Sequence, residues 1–106
     1  TMTVDDYSQK DIDYALDKEN SSLEELAKSY CEGNRVKNVK KINHYTYDIT
    51  FYDNVDGIDY YNIVSVQQIE DIYWVTQIYC EKILENDYKD KFEDWISSIN
   101  FKGNEA

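Results

Sequence analysis

The chain has 106 residues, with 22 acidic against 11 basic for a formal charge of −11, and 11 tyrosines against three phenylalanines and two tryptophans. That length carries one core and one domain over residues 1–106, and 42% hydrophobic residues are too many for a disordered acidic tail. A field of this sign repels nucleic-acid phosphate and anionic membranes and attracts a basic protein, and no apolar run is long enough to span a bilayer.

The N-terminal stretch "DDYSQKDIDYALDKEN" sets Ile12, Ala15 and Leu16 on one stripe with Tyr7 or Tyr14 beside it, and the spacing predicts an amphipathic helix. Asp6, Asp13 and Asp17 fall on its charged side. They read either as a solvated face or as a spaced negative stripe that imitates a phosphate backbone and occupies a partner's nucleic-acid site. Next, "SSLEELAKSYCEGN" opens on a serine cap answered three residues later by a glutamate. Leu23, Leu26, Ala27, Tyr30 and Cys31 then repeat at helical spacing, so a second helix is expected from Ser22 to Cys31, stopped at Gly33. Asn20 in "NSS" reads as a helix break and cap.

From Val36 the period shifts toward two. "RVKNVKK" holds four of the 11 basic residues and no acid, as edge strands that avoid aggregation often do. In "HYTYDITFYD", Tyr45, Tyr47, Ile49 and Phe51 share one side of a strand, with His44, Thr46, Asp48, Thr50 and Tyr52 on the other. Tyr45 and Tyr47 are therefore expected in the core. "DNVDGID" supplies an Asp-Gly hairpin, and its flanking positions, Tyr52 and Ile63, rule out a calcium loop. "DYYNIVSVQQ", a turn at "IED" and "IYWVTQIYC" give two further strands, the last with Trp74, Thr76, Ile78 and Cys80 opposite Tyr73, Val75, Gln77 and Tyr79. "NDYKDKFEDWISSINF" closes with a helix whose stripe is Tyr88, Phe92, Trp95, Ile96 and Ile99.

The predicted order is α-α-β-β-β-α, with a short extra strand at "VKNVKK". The fold class is α+β: an antiparallel meander of three to four strands carrying two N-terminal helices and one C-terminal helix. If the first two helices cover the Tyr45 and Trp74 side, then Tyr52, Tyr73, Val75, Tyr79 and either Tyr60 or Tyr61 line the other. The C-terminal helix covers that side, or it stays open as a tyrosine patch fit for a protein partner.

Three glycines leave no phosphate loop, no G-x-S-x-G elbow occurs, and the lone His44 has no evident nucleophile beside it. Cys31, Cys80 and His44 lack metal spacing. No catalytic residue, metal or cofactor is predicted. Cys31 and Cys80 read as two thiols, with a disulfide as the alternative that an extracytoplasmic home would favour.

Asp71, Trp74, Val75 and Ile78 lie in a "dgxWxVxxI"-type strand that follows the hairpin and the helix "LEELAKSYCEG". Over residues 21–80 this resembles cystatin-like and nuclear-transport-factor-like small domains, which implies a helix packed on antiparallel strands and no transferable active residue. The expected function is a small acidic, non-enzymatic binding protein, an inhibitor, immunity or anti-defence protein of a bacterium or phage. Asp6, Asp13 and Asp17 would attract a basic protein partner, and Tyr52, Tyr73 and Tyr79 would anchor it. Direct nucleic-acid binding is not expected. The alternative is an extracytoplasmic lipoprotein-type or conjugation-type interaction domain of a Gram-positive bacterium. Met2 as a native start favours the first reading and the cytoplasm; an upstream leader favours the second.

Overall fold

The computed structural model describes residues 2–100, with side chains through residue 98. Strand β1 (Met2–Ser8) leads into helices α1 (Gln9–Leu16) and α2 (Leu23–Ser29). Strands β2 (Arg35–Asn43), β3 (Thr46–Val55), β4 (Ile58–Ile69) and β5 (Ile72–Glu81) follow, and a 3-10 turn at Lys82–Leu84 opens helix α3 (Glu85–Asn100). Every neighbouring pair is antiparallel, in the order β1-β5-β4-β3-β2. The α+β class and the meander hold, with five strands in place of three to four.

The added strand corrects the N-terminal expectation, in which helix began at the Asp5-Asp6 pair. Thr3, Val4 and Tyr7 suit a pleated strand, and seven residue pairs with β5 outweigh the poor strand propensity of the two aspartates. Ser8 ends the strand. Its Oγ accepts the Asp11 N–H at 3.2 Å while the Asp11 carboxylate accepts the Ser8 N–H at 3.0 Å, a reciprocal cap that starts α1 one residue later. The shortened helix buries Ile12 and leaves Ala15 and Tyr14 exposed, Tyr14 at 89%. Helix α2 matches expectation more closely. Ser22 and Glu25 cap each other at 3.1 Å, and Leu23, Leu26 and Ala27 are buried.

Two tight turns decide which side chains share a face. Asp56 and Gly57, both at positive φ, join Val55 to Ile58, and Glu70 and Asp71 join Ile69 to Ile72. With two-residue loops, Ile49 opposes Val64 and Val66 opposes Val75. The Tyr47 side of β3 therefore continues into the Tyr73 side of β5, whereas Tyr45 and Trp74 had been expected together. A three-residue turn at "IED" would give that expected pairing, because a shift of one residue turns a strand over. Tyr47 packs against the core as expected, but Tyr45 sits in the β2–β3 turn and is exposed.

The sheet is the middle of three layers. On one side α1 and α2 bring Ile12, Leu23 and Leu26 onto Ile49, Val64 and Val75. On the other, Phe92 and Ile96 of α3 pack on Tyr61, Ile63 and Ile78. Central β4 is covered on both faces and is buried without a break from Tyr61 to Gln67, the pattern of a strand with two apolar neighbours. Thus the C-terminal helix covers the face of Tyr52 and Tyr61, whereas Tyr73 and Val75, expected on that same face, lie under α1 and α2. Its Trp95 and Tyr88 point away, at 49% and 37% exposure, and the side chain of Ile99 lies outside the described residues.

Glu85 fastens α3 to the sheet. Its carboxylate accepts the Tyr52 hydroxyl at 2.9 Å and pairs with the Lys37 ammonium at 2.9 Å. Burial alone would raise the Glu85 carboxyl, but these two bonds outweigh it and hold the group below its ordinary 4.5. Because the folded value is depressed, the unfolded chain binds the extra proton first. This contribution is complete above about pH 4.5 and is lost as pH falls through the folded value. Acid melts should therefore show Glu85→Gln less stable than the native chain near neutrality, with the gap narrowing below pH 4.5; a constant gap would remove Glu85 from the acid response.

The sheet also separates the cysteines. Cys31 packs against the cluster beneath α1 and α2, and Cys80 against the one beneath α3. Both are free thiols. Titration of the denatured, non-reduced chain should find two reactive thiols, and finding none would place a Cys31–Cys80 bridge that this layering forbids.

Candidate protein-binding groove

The acidic N-terminal third is built around a buried hydroxyl. Tyr73 donates to Gln9 Oε1 at 2.7 Å and to the Ser21 carbonyl at 3.3 Å. Gln9 in turn donates to Ser21 O and to Asp13 Oδ1, each at 2.8 Å. The same Asp13 carboxylate accepts the backbone N–H of Ser21 at 2.8 Å and of Asn20 at 3.2 Å. The Ser21 bond, followed by Gln9, draws the Asp13 carboxyl below its usual range. Asp13 therefore closes the α1–α2 connection, and Tyr73, at 2% exposure, pins α1 to β5.

The structure distributes the residues expected to form one site. Asp6 lies on β1 and is exposed. Asp17 is the left-handed C-cap of α1, at φ 52°, turned off the helical stripe. Asp6, Asp13 and Asp17 do not form a single row, since a strand, a loop contact and a cap each direct one of them. Tyr52 belongs to the α3 face and Tyr73 to the α1/α2 face, so the sheet stands between them. Their separation follows from the two-residue turns described above.

Tyr79 shares a face with Tyr73 but lies beyond the helices. Around it, Gln77 Nε2 donates to Asn62 Oδ1 and Asn62 Nδ2 to Asp53 Oδ1, both at 2.9 Å. Tyr60 meets Tyr79 edge to face at 5.9 Å. This amide chain floors a hollow of about 220 Å³, and an adjoining one of about 530 Å³ runs from Tyr60 and Tyr79 to Leu84, Tyr88 and Trp95.

What the fold does assemble is a groove of about 1030 Å³ between β1, α1 and α2. Tyr7 and Tyr30 are half-buried in it and Tyr14 stands free at its side. Asp6, Asp11 and Glu32 supply negative charge against the single Lys10. Burial, with smaller contributions from Tyr7 and Asp5, pushes the Tyr30 phenol up to about 12, so it presents a neutral hydroxyl at any physiological pH. Tyr7, Tyr14, Tyr30 and Glu32 were not among the expected binding residues. The signal that leads to them is the "SQKD" cap: placing the helix start at Ser8 turns Tyr7 into a strand residue facing the helices.

Among the described residues, no group of three or more His, Cys, Asp or Glu side chains is placed to hold a metal ion. No described helix is long and apolar enough to cross a membrane. Compared with known proteins, the chain matches no family model and no curated protein.

Proposed function

We propose that this chain is a non-enzymatic protein-binding domain that captures a basic protein, acting as an inhibitor or immunity-type partner. The observation that carries this reading is the β1/α1/α2 groove, in which tyrosines and carboxylates occur together. Tyrosine offers a large, stiff contact surface with a polar tip, and such residues dominate retention at protein interfaces. Carboxylates at the rim raise encounter rates with a basic surface and sharpen the choice of partner. The charge of the domain is also divided. Residues 1–32 hold nine acids and three lysines, while "RVKNVKK" at 35–41 holds four basic residues, which the sheet order places on the far edge from β1. A basic partner is thereby oriented toward the groove.

The test is capture from cell extract on the immobilised chain, beside a column carrying the Asp6→Lys, Glu32→Lys double variant. A basic protein held by the native chain, eluted by salt and missed by the variant supports the reading. Retention of the same proteins by both columns would overturn it.

A further inference from the structure

The two edges of the sheet differ in build. Strand β2 is irregular, its register slipping between Val36 and Asn38 and again between Lys41 and Asn43, and it carries Arg35, Lys37, Lys40 and Lys41. Bulges and lysines of this kind discourage another strand from pairing. Strand β1 has neither protection. It pairs with β5 in unbroken register, and its only charged side chains are Asp5 and Asp6.

The direction of its backbone groups follows from the ladder. The Gln68 N–H donates to the Tyr45 carbonyl at 2.9 Å, so even-numbered residues of β4 bond toward β3 and odd-numbered ones toward β5. Gln67 opposes Trp74 and Ile69 opposes Ile72. Hence the even-numbered residues of β5 bond back to β4, which leaves Tyr73, Val75 and Gln77 to bond Tyr7, Asp5 and Thr3, their partners in register. The N–H and C=O groups of Met2, Val4 and Asp6 consequently point out of the sheet. Ser8, next in that series, has its N–H taken by the Asp11 carboxylate, so the open series ends at Asp6.

We propose that the β1 edge is where the partner engages by strand addition: an extended, positively charged segment of the partner lies antiparallel to β1 as a sixth strand and bonds Met2, Val4 and Asp6. This rests on the basic-partner reading above and specifies the form the partner takes. Main-chain bonds supply affinity in such additions, and alternate side chains supply selectivity. Here the selecting charges are Asp5 on one face and Asp6 on the other, with no lysine or arginine on β1 to oppose a basic segment. The edge also connects two recesses. Asp6 and Tyr7 line the acidic groove, while Met2 opposes Ile78, next to Tyr79 of the aromatic hollow. Five strand residues span about 17 Å, so one short segment reaches from the groove to that hollow.

The probe is a peptide of alternating lysine and valine, about ten residues long, with a second version whose two central amides are N-methylated. The expected result is slowing of amide exchange at Val4 and Asp6 by at least about tenfold on binding, and at least about tenfold weaker binding of the methylated peptide. Val4→Pro provides the matching change in the protein. Its N–H faces outward, so proline there removes no bond to β5; the melt should stay near native while peptide binding falls about tenfold. Equal, salt-sensitive binding of both peptides would overturn strand addition and leave the acidic groove standing. Failure of the unmethylated peptide to bind at low salt overturns the strand site. Exchange at Val4 that slows with the chain's own concentration would assign the edge to a second copy instead.

Discussion

Leu26→Asp should leave little folded protein at room temperature. Leu26 is 5% exposed, in the cluster where α2 meets Ile49, Val64 and Val75. Truncating such a leucine to alanine costs about 2–5 kcal/mol. An aspartate adds the desolvation of a carboxylate. Small domains hold only about 5–15 kcal/mol in total, and a loss of about 3 kcal/mol already lowers the melting temperature by about 12–24 °C. Two further substitutions make the result specific to the packing. Leu26→Ala should melt between the native chain and Leu26→Asp. Ala15→Lys should stay within about 0.5 kcal/mol of native, because the structure turns Ala15 to solvent. If Leu26→Asp melts like the native chain, α2 does not pack where the structure places it.

Periodicity made most of the elements legible, and local pairing decided what it could not. The alternation in β3 placed Ile49 and Phe51 in the core correctly, and the serine cap located α2. Residues 5–8 read as helix in the sequence because Asp5 and Asp6 suit the first turn of a helix as well as the solvent edge of a strand. What makes them a strand is β5, some 70 residues away in sequence, and strand propensity is set largely by such neighbours. The candidate site depended on the same two features. With Ser8 as the cap, Tyr7 faces the helices and the groove exists. With Glu70 and Asp71 alone in the turn, Tyr73 goes under α1 and Tyr52 to the opposite face. The turn was legible in principle, since counting two residues there rather than three sets the parity of the entire last strand. The Asp13 hydrogen bonds were not, because a carboxylate that caps a connecting loop resembles in sequence any other acid on a charged face.

Once a partner is in hand, charge and aromatic contact in the groove should separate in kinetics. Asp6 and Glu32 are exposed rim residues, and reversing both to lysine should lower the association rate by about tenfold at low salt and flatten its dependence on ionic strength. The dissociation rate should change little, because rim charges remain solvated in the complex. Tyr14→Ala should do the reverse. At 89% exposure the ring contributes nothing to the free domain's core, so the melt should be unmoved, while loss of an aromatic anchor worth about 1–2 kcal/mol speeds dissociation roughly 5- to 30-fold. Asp13→Asn serves as the contrast. It weakens the α1–α2 connection, where the carboxylate accepts three hydrogen bonds, and should lower the melting temperature without altering the salt dependence of association. A partner that keeps native rates against both the charge-reversed and the Tyr14→Ala chains binds elsewhere on the domain, and the acidity of the groove would then serve solubility alone.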